Sequence, residues 1–164
     1  MSDRDSFEAF VIARRGALLR TAYLLTGNDA DAEDLVQTTL LKAVPAWARI
    51  LDHPEPYVRR ILARESVTRH RRRRWREVAT ADVPETAVVA DPTDKESLRR
   101  SLLTLAPRQR AVIVLRYYED LTERETAEVL GISVGTVKSQ TRDALARLRL
   151  PGVVATGEGN RSGV

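Results

Sequence analysis

Apolar residues recur every three or four positions along most of the chain, a spacing that predicts helices rather than strands. In the N-terminal half, a first helix is expected to take Asp5 or Ser6 as its N-cap and to end at residues 27–28. A second helix is expected to follow directly and to end near Pro45, and a third to begin near Pro56. No stretch alternates apolar and polar residues over the length of a strand.

The helical period is lost between residues 77 and 94, where the sequence is acidic and contains two prolines. We interpret 77–94 as a flexible linker. Helical spacing returns over 95–150, whereas residues 151–164 contain four glycines and are expected to form a disordered tail. The predicted fold class is therefore all-α, with two small helical domains, 5–76 and 95–150, joined by the acidic flexible linker.

The second domain contains the pattern of a helix-turn-helix. Thr122 is a suitable N-cap, and Glu125, three residues later, completes a capping box. Gly131 allows the tight turn that follows because it tolerates positive φ, and Ser133 caps the next helix. Two apolar residues of that helix are expected to pack back against the first one: Val134 and Val137.

The second helix of such a motif enters the major groove of DNA, N-terminal end first. Polar side chains on or near its exposed face are our candidates for DNA contacts: Thr136, Lys138, Ser139, Gln140 and Arg142. Because Lys138 and Arg142 are four residues apart, both can reach the same backbone or base edges.

The net charge of +4 conceals a strong asymmetry along the chain. Residues 55–76 carry nine arginines and two acids, whereas residues 77–98 carry one base and six acids. Such a concentration of positive charge predicts a polyanionic partner. Within it, the segment TRHRRRRWRE at 68–77 combines arginines, which bind phosphates, with Trp75, which can stack on an unpaired base. A solvated charge run or a patch for acidic lipid are the alternatives.

Composition excludes several kinds of chemistry. The absence of cysteine rules out thiolate zinc sites, iron–sulfur clusters and a cysteine nucleophile, and two histidines cannot build a histidine-rich metal site. The acidic segment NDADAEDLVQ at 28–37 lacks the spacing of a calcium loop. We interpret its acids as favourable charges at a helix start or as a protein-binding surface. No metal, no cofactor and no catalytic residues are expected.

The sequence gives no sign of a membrane segment. No apolar run approaches the roughly 18 residues that a transmembrane helix needs. The N-terminal segment MSDRDSFEAF is polar and acidic, unlike a signal peptide. We therefore expect a cytoplasmic protein without membrane contact.

In this order, the features resemble the extracytoplasmic-function group of sigma-70-class RNA polymerase sigma factors, and within it the actinobacterial sigma-E-like subgroup. DAEDLVQTTLLKAVPAW at 31–47 is similar to region 2.2, and PYVRRILARESVTRHRRRRWRE at 56–77 to regions 2.3 and 2.4. LAPRQR at 105–110 and YYEDLTERETAEVLGISVGTVKSQTRDALARLR at 117–149 are similar to region 4.

The resemblance implies an alternative sigma factor, with no catalysis of its own, that binds core RNA polymerase and directs promoter-specific transcription initiation. The first domain would bind the clamp of the β′ subunit and open the minus-ten element. The second would bind the minus-thirty-five element and the flap of β. An anti-sigma factor is a common partner in the family. A separate hypothesis is that the two domains pack together in the free protein and hide DNA surfaces.

The resemblance also places the functional residues by motif match. The polymerase contacts fall on Asp31, Glu33, Asp34, Leu35 and Gln37. The minus-ten contacts fall on Arg59, Arg60, Arg64, Arg69, Arg71, Arg72, Arg73, Arg74, Trp75 and Arg76. The candidates in the helix-turn-helix would meet the minus-thirty-five duplex. Two positions depart from the family pattern, since Asp143 stands where many relatives carry Arg and Glu65 where relatives often carry Asn.

Three other functions fit parts of the sequence. A LuxR-type transcriptional regulator would share the helix-turn-helix, but it usually carries a βαβ receiver or a ligand domain in front. A recombinase or nuclease would need an activated nucleophile, and Glu65 and Ser66 have no evident activating partner. A membrane-surface helix would need an apolar face opposite the arginines, and residues 68–77 offer only Trp75.

Overall fold

The computed structural model describes residues 1–77 and 95–148, and within 70–77 it describes the backbone alone. Every regular element in these residues is helical, and the helix bounds are α1 Asp3–Thr26, α2 Asp29–Ala43, α3 Trp47–Ile50, α4 Glu55–Glu77, α5 Lys95–Leu103, α6 Pro107–Ile113, α7 Glu123–Leu130 and α8 Val134–Leu148. A 3₁₀ turn, Val44–Ala46, joins α2 to α3, and a π-helical segment, Val114–Tyr118, extends α6. The all-α prediction is confirmed, whereas most of the predicted linker and the predicted tail lie outside the described residues.

The first helix begins earlier than its apolar pattern predicts. The Ser2 hydroxyl accepts a hydrogen bond from the Asp5 amide at 3.1 Å, and the Asp5 carboxylate accepts one from the Ser2 amide at 3.3 Å. This capping box starts α1 before the first buried side chain, so the predicted N-cap at Asp5 or Ser6 is wrong. The end of α1 is as predicted, because Gly27 closes it with a left-handed φ of 88°.

The second helix begins as predicted, with Asn28 accepting a hydrogen bond from the Asp31 amide at 2.8 Å. The short α3 after it was not predicted. It brings Trp47 into the core, where its indole nitrogen donates to the Ser6 hydroxyl at 2.7 Å. The ring of Phe7 packs edge-on against the indole, with 5.1 Å between ring centroids.

The predicted helix-turn-helix is present in α7 and α8. Thr122 and Glu125 form the capping box, and Gly131 ends α7 with a φ of 66°. Ser133 caps α8 by accepting a hydrogen bond from the Thr136 amide at 3.0 Å. Val137 is fully buried as predicted, but Val134 lies in the first turn of α8 and is half-exposed, so its predicted packing is wrong.

Residues 1–77 and 95–148 share one apolar core. Side chains of α1, α2 and α4 pack against α5, α6 and α8 in a single cluster, and Ala63 of α4 joins a second cluster with Leu115 and Val129. The two halves therefore pack together, in agreement with the hypothesis that they do so in the free protein.

Arg110 crosses this junction from within the core. Its guanidinium donates to the carbonyls of Leu102 at 2.9 Å, Leu105 at 3.1 Å and Leu25 at 2.8 Å. The Leu25 carbonyl belongs to α1, so one buried cation connects the N-terminal and C-terminal halves. Burial lowers the pKa of Arg110 to about 10, so the side chain remains charged at neutral pH.

Candidate nucleic-acid interface

The outward face of α8 is polar and largely cationic. Val137, Ala144 and Leu148 face the core, which leaves the opposite side of the helix to solvent. The side chains of Lys138 and Arg142 are 61% and 78% exposed. Both are therefore available to a duplex in the arrangement that the structure shows.

The remaining predicted residues of α8 are partly enclosed. Thr136, Ser139 and Gln140 are half-buried. The hydroxyl of Ser139 donates to the Thr136 carbonyl at 3.1 Å. Of the predicted residues, Lys138 and Arg142 therefore protrude furthest.

Lys138 is linked to the body of the helix-turn-helix by two ion pairs in series. Its ammonium lies 3.8 Å from the carboxylate of Glu123, at the start of α7. The guanidinium of Arg116, in the π-helical segment, lies 3.8 Å from the same carboxylate and donates to the Leu121 carbonyl at 2.9 Å. Glu123 thus lies between a buried cation and an exposed one.

Arg59 and Arg64, two of the predicted minus-ten arginines on α4, have partners in the C-terminal half. Arg64 donates to the carbonyls of Val129 at 2.8 Å and Glu128 at 3.2 Å, at the C-terminal end of α7, where a helix favours a cation. Arg59 lies 3.6 Å from the carboxylate of Glu119. In this arrangement, α4 presents two of its candidate DNA-binding side chains to the C-terminal half.

Two further minus-ten candidates differ in their surroundings. Arg60 is exposed. Arg69 forms an ion pair with Asp34 and lies 3.8 Å from Asp31, so it joins α4 to α2. The side chains of the other six candidates lie outside the described residues, on the last turns of α4: Arg71, Arg72, Arg73, Arg74, Trp75 and Arg76.

The predicted polymerase-binding residues on α2 fall into an exposed set and a buried set. Glu33, Asp34 and Gln37 are exposed along the outer face of α2. Leu35 has no exposed surface and is part of the core, so it supports the helix rather than offering a contact. Asp31 is also buried, beside its cap residue Asn28.

An apolar groove between α1 and α2 extends this surface, and the pattern of acids did not predict it. Leu41 and Val44 are exposed at one end, the former by 66%. The groove is lined by Phe7, Val11, Arg15, Glu33, Val36, Gln37, Leu40, Leu41 and Val44. The apolar residues at helical spacing were the signal from which the groove could have been predicted. However, a predicted pair of helices does not show which apolar face remains exposed to solvent.

Glu65, one of the two departures from the family pattern, is mostly buried and forms an ion pair with Lys42 of α2. Asp143, the other, is 59% exposed on α8, with its carboxylate 3.8 Å from the Arg142 guanidinium. The first residue therefore joins two helices, whereas the second faces solvent on the helix predicted to bind DNA.

Residues 1–77 and 95–148 contain no group of three or more histidine and carboxylate side chains suited to a metal ion. Over the same two ranges, none of the helices is long and apolar enough to span a membrane.

Comparison with known proteins identifies both halves of the chain. The family profile of sigma-70 region 2 matches residues 3–76, and that of sigma-70 region 4 matches residues 95–148. The RNA polymerase sigma-E factor of Streptomyces avermitilis is 42% identical over 87% of this chain and 83% of its own length. The corresponding factor of Streptomyces coelicolor is 41% identical over 91% and 87%.

A solved structure gives the same assignment. The sigma factor RpoE of Bartonella quintana, in complex with the anti-sigma factor NepR, superposes with a TM-score of 0.69 over 87% of this chain and 94% of its own, at 25% identity. The ECF RNA polymerase sigma factor SigL of Mycobacterium tuberculosis is 34% identical over 81% of both chains. The chain belongs to the sigma-70 family of RNA polymerase sigma factors, in its extracytoplasmic-function group.

Proposed function

We propose that this sigma factor binds core RNA polymerase through α1 and α2, opens the minus-ten element with α4 and reads the minus-thirty-five element with α8. The observation that carries the proposal is the coexistence, on one chain, of an exposed cationic helix-turn-helix face and an arginine-rich helix in a second domain. The protein acts as a specificity subunit in the cytoplasm and adds no catalysis of its own.

The polymerase surface is the apolar groove with its acidic edge. Exposed Leu41 and Val44 offer apolar area, while Glu33, Asp34 and Gln37 supply polar contacts that fix orientation. Aliphatic residues beside charged ones suit the helical clamp of the β′ subunit. Asp31 and Leu35 contribute by holding α2 in place.

The minus-ten function requires the two halves to separate. Arg59 forms an ion pair with the C-terminal half and Arg64 donates hydrogen bonds to it. Their guanidinium groups become fully available to promoter DNA once Glu119 and the end of α7 move away. Unstacking and extruding a base costs a few kcal/mol, which arginine contacts to the displaced strand and stacking on Trp75 would offset. The free chain is therefore a closed form, and small-angle scattering should give a compact particle; an extended profile would contradict this part of the proposal.

The minus-thirty-five function does not require this separation, because Lys138 and Arg142 are already exposed. Truncating either one to alanine should weaken binding to the duplex by about 1–3 kcal/mol if it contacts bases. Unchanged affinity at a fixed salt concentration would remove that residue from the interface.

An anti-sigma factor is the expected regulator. The structural relative from Bartonella quintana was solved with such a partner, NepR. A protein that stabilises the closed form would keep Arg59 and Arg64 from DNA without contacting either residue.

Run-off transcription with core RNA polymerase from an actinobacterium tests the function directly. The template is a library of upstream fragments, transcribed with and without the protein. New start sites should appear with the wild type, disappear with the double variant Glu33→Ala, Gln37→Ala, and persist with Asp52→Ala, which removes an exposed acid from the turn before α4. Specific DNA binding without core polymerase and without new transcripts would instead indicate a conventional regulator.

A further inference from the structure

The exposed face of α8 carries one acid among its cations. At about 100° per residue, Asp143 lies one turn beyond Ser139 and two turns beyond Thr136, so it shares a stripe with two predicted DNA contacts. Its side chain is 59% exposed. The carboxylate would therefore face the groove on the same side of α8 as Thr136 and Ser139 when the helix docks on a duplex.

A carboxylate on this face weakens binding to phosphate unless a base offers it a hydrogen-bond donor. An ionised carboxylate can only accept, and in the major groove the donors are the amino groups of cytosine and adenine. The adenine amino group lies beside the acceptor N7, which repels a carboxylate, whereas the cytosine N4 amino group has no acceptor on the same base edge. Cytosine is therefore the base that Asp143 fits.

The neighbouring Arg142 leaves the carboxylate of Asp143 able to accept a hydrogen bond. Arg142 Nε and Asp143 Oδ1 are 3.8 Å apart, which is close enough for an ion pair but beyond hydrogen-bond distance. Adjacent residues of a helix are separated by about 100° around its axis and about 1.5 Å along it, so the two side chains point in different directions from α8. Asp143 is therefore assigned its own base, independently of Arg142.

We propose that Asp143 is a specificity-determining residue that accepts a hydrogen bond from cytosine N4 in the duplex read by α8. The inference rests on the proposed minus-thirty-five function and assigns one base of its sequence. Asp143 stands where many relatives carry Arg. The proposal gives this difference a role, because exchanging Arg for Asp replaces recognition of guanine with recognition of cytosine.

Selection from a pool of short duplexes with a randomised centre tests the assignment on the full-length chain, whose α8 face is already exposed. The wild type should enrich a cytosine at one position of the site, and replacing that cytosine should weaken binding about tenfold. Asp143→Asn should shift the preference at this one position towards adenine, because an amide bonds to adenine N6 and N7 together. Asp143→Ala should lose the preference there and keep the rest of the site.

Asp52→Asn is the matched control, since it makes the same chemical change at an exposed position outside α8 and should leave the enriched sequence unaltered. An Asp143→Asn chain that binds every duplex more tightly by the same factor would overturn the proposal, because the acid would then only repel phosphate. An unchanged sequence profile would overturn it as well. A wild-type chain that enriches no sequence would overturn the minus-thirty-five assignment itself, and the role of Asp143 with it.

Discussion

Replacing Arg110 by methionine tests how the two halves of the protein are held together. Methionine keeps much of the length of the side chain and its apolar packing but removes the charge and all five donors. The carbonyls of Leu25, Leu102 and Leu105 each lose a charged donor at 2.8 to 3.1 Å. The first of these carbonyls belongs to α1 and the other two to the C-terminal half, so the substitution removes a connection between them.

Two opposing terms set the size of the effect. Hydrogen bonds from a charged donor contribute about 1.5–3 kcal/mol each, so three of them contribute about 4–9 kcal/mol. Burial lowers the pKa of Arg110 from 12.5 to about 10, which corresponds to a desolvation cost of roughly 3 kcal/mol. The difference leaves a net stabilisation of about 1–6 kcal/mol, which the Arg110→Met chain should lose.

Urea unfolding of the full chain, followed by far-ultraviolet circular dichroism, measures this loss. Arg108→Met is the control, because Arg108 is an exposed arginine in the same turn of α6, and its free energy of unfolding should change by less than about 0.5 kcal/mol. If Arg110→Met were as stable as Arg108→Met, the cost of burying the charge would equal the gain from its three hydrogen bonds. The interpretation of Arg110 as a structural connection would then be refuted.

Two other positions give clear expectations. Gly131→Ala should destabilise the protein by about 1–2 kcal/mol, because φ is 66° and the new Cβ would lie 3.2 Å from Arg64 Nη2. Gly135→Ala is the control, because Gly135 lies inside α8 with room for a Cβ. It should not destabilise the protein in the same urea titration. Hydrogen bonding to Arg99 lowers the pKa of Glu96 below its ordinary value of 4.5. The stabilisation that this pair gives the folded chain is therefore present above pH 4.5 and is lost as the pH falls through the lowered pKa. The pKa of the Glu96 carboxyl, measured by nuclear magnetic resonance, should rise in an Arg99→Ala chain. An unchanged pKa would contradict the pairing.

The sequence was sufficient to predict the structure wherever a residue acts on its neighbours along the chain. Thr122, Glu125, Gly131 and Ser133 determine the helix-turn-helix through caps and a left-handed turn, and all four behave as their residue types predict. The start of α1 was misplaced because apolar periodicity begins only after the first turn, whereas the capping box of Ser2 lies before it.

Contacts between distant segments could not be predicted in this way. Nothing in the sequence around Arg64 indicates that it binds the end of α7, and nothing around Arg110 indicates the carbonyl of Leu25. Leu35 shows the same difficulty, because a family motif gives a residue a role without showing which way its side chain points. The exposure and the partners of a side chain depend on how helices pack against one another. Periodicity shows which face of one helix is apolar, but not which other helix covers that face.

The core that the two halves share has a consequence for measured affinities. If only the open form binds promoter DNA through α4, the apparent dissociation constant of the free chain equals the intrinsic one divided by the open fraction. A closed state favoured by about 3 kcal/mol would weaken apparent binding more than a hundredfold, with no change at the DNA contact itself. Core polymerase, by binding the open form, would restore that factor. On the proposed function, the packing of Leu25, Val58 and Leu62 in one cluster with the C-terminal half would thus keep protein without polymerase from binding promoters.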